Sequence, residues 1–140
     1  MKKILAFLLF LFTLGAVANA QALKDPYTNK QLCELLNKIF YNWLGDKSEK
    51  LVFVTADGQL FVFGGDPGGV SVETHAIVLA LAGKGQSFKT VTNVVHPHGK
   101  KIWFNERDLV VYRIFKKLGF SGKFQIFYPE MGRIRTYKRD

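Results

Sequence analysis

The clearest periodic pattern of the chain lies in its first third, where apolar residues recur at three- and four-residue spacing. Such spacing is typical of one face of an amphipathic helix. Asp25 and Pro26 precede it and suit a helix start, because Asp is a good N-cap and Pro is favoured at the first helical position. We therefore predict a helix over about residues 27–44, which ends at Gly45. Its apolar face comprises Leu32, Leu35, Leu36, Ile39, Phe40, Trp43 and Leu44.

Two runs rich in β-forming residues follow, at 51–55 and 60–63. The residues between them, Ala56-Asp57-Gly58, are a turn signal, so the pair predicts a β-hairpin. The Gly-rich segment 64–69 predicts a flexible loop. Residues 70–85 stay open, because their apolar stretch suits a buried strand or a helix and its period does not decide between them.

The second half of the chain predicts a strand, a helix and a last hairpin. Residues 88–95 indicate a strand that runs into His96, and 124–128 with 133–137 indicate the hairpin. Between them the pattern predicts a helix over 105–118 that stops at Gly119. Its apolar face comprises Leu109, Val110, Ile114, Phe115 and Leu118.

The order of elements, α-β-β-β-α-β-β with 70–85 left open, shows no strict alternation of strand and helix. It predicts an α+β fold with a mixed or largely antiparallel sheet flanked by two main helices. The length after residue 20 suits one domain, 21–140.

The first twenty residues predict a cleavable signal peptide. Lys2 and Lys3 give a positive start, residues 4–13 are almost entirely apolar, and Ala18-Asn19-Ala20 places small residues at the cleavage site. The apolar run is shorter than the ~20 residues of a membrane-spanning helix. We therefore expect a secreted or periplasmic protein that begins at Gln21, with no stable membrane insertion after cleavage.

The net charge and the cysteine content say less about the function of the protein. The chain carries +9 at pH 7, and without Lys2 and Lys3 it has 18 basic and 11 acidic side chains. A basic balance favours anionic partners, and it also serves solubility alone. Cys33 is the single cysteine, so no internal disulfide forms. Its apolar surroundings predict a buried helical thiol rather than a nucleophile.

The residues that could carry chemistry lie where the predicted strand 88–95 ends and where the predicted helix 105–118 begins. His96 and His98 alternate along a strand, so their side chains share one face and can reach one metal ion. Asp108 follows ten residues later, in the first turn of the second helix. Two His and one Asp leave a fourth position for water, as in hydrolytic zinc sites. A competing pair is Glu73 with His75, which share a face if 70–80 is a strand.

These residues carry a resemblance to the JAB/MPN (JAMM) metalloprotease superfamily, whose pattern is Glu, His-x-His, then Ser-x-x-Asp. His96, His98 and Asp108 match the ligand positions, and Phe104 to Leu109 match the aromatic-Ser-x-x-Asp-Leu stretch with Asn105 in place of the serine. Glu49, just before the first hairpin, matches the upstream glutamate. The chain resembles a small, divergent bacterial member.

The resemblance implies a mechanism and a set of site residues. Zinc held by His96, His98 and Asp108 lowers the pKa of a bound water. Glu49 takes the water's proton and passes it to the leaving amine, and Asn105 steadies the oxyanion. The bond broken would be a peptide or isopeptide amide, in the cell wall or in another protein.

Two other functions stay open. One is a non-catalytic JAB-like binding module whose basic surface recruits an anionic partner. The other is a basic metal-dependent nuclease, although no further nuclease motif accompanies the histidines, and we expect nucleic acid not to be the partner.

Overall fold

A computed structural model describes residues 23–41, 48–67, 74–99 and 102–138, with the backbone alone at 48, 49 and 65–67. The predicted signal peptide, 1–20, lies outside these residues. In chain order the described elements are α1 (Asn29–Ile39), β1 (Ser48–Thr55), β2 (Leu60–Pro67), α2 (Thr74–Ala82), a 3-10 turn (Phe88–Thr90), β3 (Val91–Pro97), α3 (Glu106–Lys117), β4 (Lys123–Tyr128) and β5 (Arg133–Thr136).

The five strands form one mixed sheet in the order β2-β1-β3-β4-β5. Three neighbouring pairs are antiparallel, and β3 with β4 is parallel. A parallel pair needs a crossover connection, which α3 provides. The expected α+β class with a mixed sheet is confirmed.

Helices cover both faces of the sheet because alternate strand residues point to opposite sides. Val52, Val95 and Phe127 face α1. On the other face, Phe53 and Val94 join the larger core with residues of α2 and α3. The sheet is therefore the middle of three layers.

The first helix is shorter than predicted. It begins after Thr28, whose hydroxyl accepts from the backbone N–H of Gln31 at 3.1 Å while the Gln31 side chain accepts from the Thr28 N–H at 2.9 Å. This reciprocal cap replaces the predicted one, and Asp25 instead accepts a hydrogen bond from Lys123. The helix ends at Ile39, and the predicted end at residues 44–45 is wrong, with 42–47 outside the described residues.

Two further predictions change. Within the open segment, residues 74–82 form α2, so the described part of the chain has three helices where two main ones were predicted. Ile77 and Leu81 of α2 pack into the larger core.

The predicted loop at 64–69 is wrong for its first four residues, because β2 continues to Pro67 opposite Ser48. The hairpin with its turn at Gly58, where φ is 88°, is confirmed.

The third helix is confirmed, with Asn105 as N-cap and a stop at Gly119, where φ is 107°. Its buried face is rotated from the predicted one. Phe115 is buried, whereas Val110 and Ile114 are 49% and 40% exposed. Val111 and Tyr112 take their place against the core, because those positions face the sheet.

The crossover connection from β3 through α3 to β4 brings the end of β3 beside the start of α3. The strand begins at Val91, three residues later than predicted, and all seven of its residues are buried. No helix of the described ranges is long and apolar enough to cross a membrane.

Candidate metal centre

His96 and His98 lie at the end of β3 on the face that α3 covers. His96 is the last but one residue of the strand, and Val94 on the same face belongs to the core beneath α3. The backbone N–H of His98 donates to the carbonyl of Phe127 on β4 at 3.0 Å. That bond continues the strand pairing by one residue and fixes the direction of the His98 side chain.

Asp108 is held by the start of α3. Its backbone N–H donates to Oδ1 of Asn105 at 2.9 Å, and its Oδ2 accepts from the backbone N–H of Asn105, also at 2.9 Å. The two bonds form a capping box. They hold the carboxylate at the helix start, turned toward β3.

The three side chains converge. Nε2 of His96 lies 3.3 Å from Oδ1 of Asp108, and Nε2 of His98 lies 3.4 Å from Oδ2. One potential ligand atom from each residue lies within 4.8 Å of the other two, and this is the one such group found among the described residues. The side chains of His96, His98 and Asp108 are only 8%, 9% and 16% exposed, so the group is nearly shielded from water.

A backbone carbonyl orients His98. Its Nδ1 lies 3.2 Å from the oxygen of Ile102, which also accepts a hydrogen bond from the Tyr128 hydroxyl at 2.9 Å. Because a carbonyl oxygen only accepts, Nδ1 carries the proton in this contact. Nε2 is then the nitrogen that faces Asp108 and can present a lone pair to a metal ion.

The ring of His96 is packed among aromatic side chains. Its centroid lies 5.8 Å from that of Phe104 and 5.5 Å from that of Phe124. Both ring nitrogens are buried, and neither has a hydrogen-bond partner. The contact of Nε2 with Asp108 is close enough for an ion pair but lacks hydrogen-bond geometry. A buried nitrogen without a partner is costly, and a bound cation would give Nε2 one.

The electrostatics of Asp108 favour its charged form. Burial raises the pKa of the Asp108 carboxyl. The facing imidazoles of His96 and His98 and the Asn105 backbone N–H lower this pKa by more than burial raises it, so that it lies well below its usual range. An ionised carboxylate beside two imidazole nitrogens is a donor set suited to a divalent transition metal. The group formed by His96, His98 and Asp108 could therefore hold a metal ion.

The other residues singled out in the sequence lie as follows. Glu49 is the second residue of β1, and its side chain is outside the described part. Asn105 is exposed, and its side-chain oxygen caps α3. His75 is exposed on α2, so the strand reading that paired it with Glu73 is wrong at His75, and Glu73 itself lies outside the described residues. Cys33 is helical and free but half-buried, and burial raises the pKa of its thiol.

One group around the candidate centre was not found from the sequence. The Ile102 carbonyl orients His98, and residue types alone do not show where a backbone carbonyl points. Phe104, the aromatic residue of the matched stretch, packs on His96.

No protein-family model matches the chain, and none of the curated proteins compared with it is similar enough in sequence to count as a match. The arrangement of residues around the metal centre is therefore what the functional argument rests on.

Proposed function

We propose that this protein is an exported, zinc-dependent hydrolase of a peptide or isopeptide amide bond, of the JAB/MPN (JAMM) type. The observation that carries the proposal is the convergence of His96, His98 and Asp108 at the junction of β3 and α3. It supports the ligand set that the resemblance implies. It does so although the spacing from His98 to Asp108 looks one residue shorter than is usual in that superfamily.

The spacing of the ligand atoms supports zinc. Zinc sites are tetrahedral with Zn–N near 2.0–2.1 Å, so two ligand atoms of one ion lie about 3.3 Å apart. Nε2 of His96 lies 3.3 Å from Oδ1 of Asp108 and Nε2 of His98 lies 3.4 Å from Oδ2, so each nitrogen has this separation from a different oxygen of the carboxylate. A charge-assisted hydrogen bond would be shorter, at about 2.7–2.9 Å. Three protein ligands leave the fourth position open, which is the pattern of a catalytic rather than a structural zinc site.

Zinc held by these residues would supply Lewis acidity and would lower the pKa of a water ligand. The protein's own groups orient the ligands: the Ile102 carbonyl holds His98, and the capping box holds Asp108. The rings of Phe104 and Phe124 shield His96 from solvent. Shielding of this kind strengthens electrostatic interactions in a site.

Glu49 is proposed as the general base. Strand β1 pairs antiparallel with β3, with Val52 opposite Val95. Glu49 lies three residues before Val52 and His98 three residues after Val95, so an unbroken register would set the two opposite each other. A glutamate at that position lies beside the ligand strand, as the resemblance implies for a residue that takes a proton from water and returns it to the leaving amine.

The order of elements also supports a JAB-like arrangement. The described elements contain, in this order, the helix, hairpin, His-x-His strand, helix and last hairpin that the resemblance implies, with α2 added between the hairpin and the His-x-His strand. A further departure is Asn105, which stands where the family has serine. Its side-chain oxygen caps α3. We propose that its amide N–H₂ is the group that donates to the oxyanion.

The decisive test of the metal centre is elemental analysis of the protein purified without a histidine tag. We expect about one zinc per chain in the wild type, and a loss of stoichiometric zinc in His96→Ala and in Asp108→Ala, because three ligands are the minimum of such sites. Cys33→Ser is the matched control, since Cys33 lies on the opposite side of the sheet in α1, and it should keep its zinc. Full zinc in both ligand variants would refute the site.

A further inference from the structure

A groove runs beside the metal centre, between the start of α3 and the edge strand β5. Its larger part has a volume of ≈ 830 Å³, and a smaller part of ≈ 360 Å³ shares Leu109 and Tyr137 with it. Phe104 lines the larger part, and the same ring packs on His96. Leu109 follows the ligand Asp108 directly in the chain. One layer of side chains therefore separates the groove from the metal centre.

The groove is positively charged. Arg135 and Lys138 line its larger part, and Arg113 and Lys116 line its smaller part. All four are exposed, and none of the described residues that line either part is acidic. Clefts lined by one sign of charge concentrate ligands of the opposite sign.

Two of the aromatic rings that line the groove, Trp103 and Tyr112, already have a face covered. The guanidinium of Arg135 lies 4.0 Å from the centroid of the Trp103 ring. Tyr112 stacks on Phe124 with centroids 4.9 Å apart, and Nζ of Lys116 lies 5.2 Å from the centroid of the Tyr112 ring. Single-stranded nucleic acid binds largely by stacking bases on free aromatic faces. The groove offers cations instead, which favours carboxylates over nucleobases.

Arg135 is placed to be the main anion-binding residue. The contact with Trp103 restrains the guanidinium, whose N–H donors lie around the edge of its plane. A held guanidinium loses less entropy on binding than a freely moving one. Its fork of donors matches the two oxygens of a carboxylate.

We propose that the groove binds an acidic peptide segment of the substrate, with a carboxylate bound by Arg135 next to the metal centre. This inference rests on the proposed function, because it makes the groove the place where a segment of the substrate flanking the cleaved amide lies. A volume of ≈ 830 Å³ is within the usual range of ligand pockets. Side-chain or terminal carboxylates of the peptide would supply the negative charge.

Binding of labelled peptides to the zinc-loaded full chain tests the proposal, with fluorescence anisotropy as the readout. The probes are a short capped peptide that carries glutamates, the same peptide with glutamines, and an oligothymidine. We expect the glutamate peptide to bind about tenfold more tightly than the glutamine peptide, as one charge-assisted hydrogen bond allows. Arg135→Ala should reduce this preference to about twofold or less. Arg133→Ala is the matched control, because Arg133 is exposed on the same strand and does not line the groove, and it should keep the preference.

The possible outcomes separate the inference from the proposed function. Equal binding of the two peptides by zinc-loaded protein, or tighter binding of the oligothymidine, would overturn the inference and leave the metal centre standing. An equal loss of preference in both arginine variants would overturn the assignment of Arg135. Glutamate-selective binding by a protein that takes up no zinc would support the groove and refute the hydrolase.

Discussion

Replacement of His96 by leucine should have opposite effects on stability in the absence and the presence of zinc. The His96 side chain is 8% exposed, and both of its ring nitrogens are buried without a hydrogen-bond partner. An unsatisfied buried polar group costs about 1–3 kcal/mol. Leucine is similar in volume and leaves no buried nitrogen without a partner, but the lost contact with Asp108 offsets part of this gain. The metal-free variant should therefore be slightly more stable than the wild type, by no more than about 1 kcal/mol.

Zinc should reverse this order. Free zinc at a hundredfold excess over its dissociation constant stabilises a folded protein by about 2.7 kcal/mol. His96→Leu loses one of three ligands and should gain almost none of this. The wild type should then be the more stable protein, by about 1.5–2 kcal/mol.

The assay is guanidinium unfolding of both proteins, in EDTA and in buffered zinc, with the free energy of unfolding obtained by linear extrapolation. His75→Leu is the matched control, because His75 is exposed on α2, and it should leave the zinc-dependent gain unchanged. Two results would refute the reasoning. One is equal stabilisation of wild type and His96→Leu by zinc. The other is a His96→Leu variant that is clearly less stable than wild type in EDTA, which would mean that the ring nitrogens are satisfied.

Three further predictions concern catalysis, the helix cap and processing. Glu49→Gln should keep its zinc and lose about 10²–10⁴-fold in turnover of any amide substrate; full activity would remove Glu49 from the mechanism, and absence of turnover in the wild type as well would favour a binding module. Asn105→Ala should lower the free energy of unfolding by about 1 kcal/mol through the lost cap, whereas Asn105→Ser keeps the cap. Asn105→Ser should also raise kcat with little effect on zinc content; an Asn105→Ala variant as active as wild type would show that the residue acts only as the cap. Mass spectrometry of exported protein should find a chain that starts at Gln21, and a mature product that starts at Met1 would contradict the signal peptide.

The sequence predicted the elements whose signals are local. The hairpin around Gly58 and the helix from Asn105 to Gly119 combine a period with turn or cap residues, and both are confirmed. The first helix was predicted too long because apolar periodicity continues beyond Ile39, while the cap that starts it is a Thr28–Gln31 pair rather than Asp25. Local patterns find a helix more reliably than they find its ends.

The remaining differences depend on tertiary contacts. Residues 74–82 are apolar enough for strand or helix, and what decides is that Ile77 and Leu81 reach the core one helical turn apart. The exposed Val110 and Ile114 show the same dependence, since which stripe of α3 is buried follows from how the helix lies on the sheet. The His–His–Asp group could be predicted because its order and spacing appear in the chain. The Ile102 carbonyl and the covered face of Trp103 could not be predicted. A backbone atom leaves no local pattern, and neither does a contact between β5 and the segment before α3.

The cap of α3 and the metal centre are parts of one arrangement. Read alone, Asn105 followed by Asp108 is an ordinary helix start, and the structure contains that capping box. Yet the carboxylate that accepts from the Asn105 N–H through Oδ2 also faces both imidazoles. Because the cap fixes this side chain, Asp108 already has the orientation that the proposed metal centre requires. A helix start that stabilises the fold is therefore compatible with the proposed metal centre and does not argue against it.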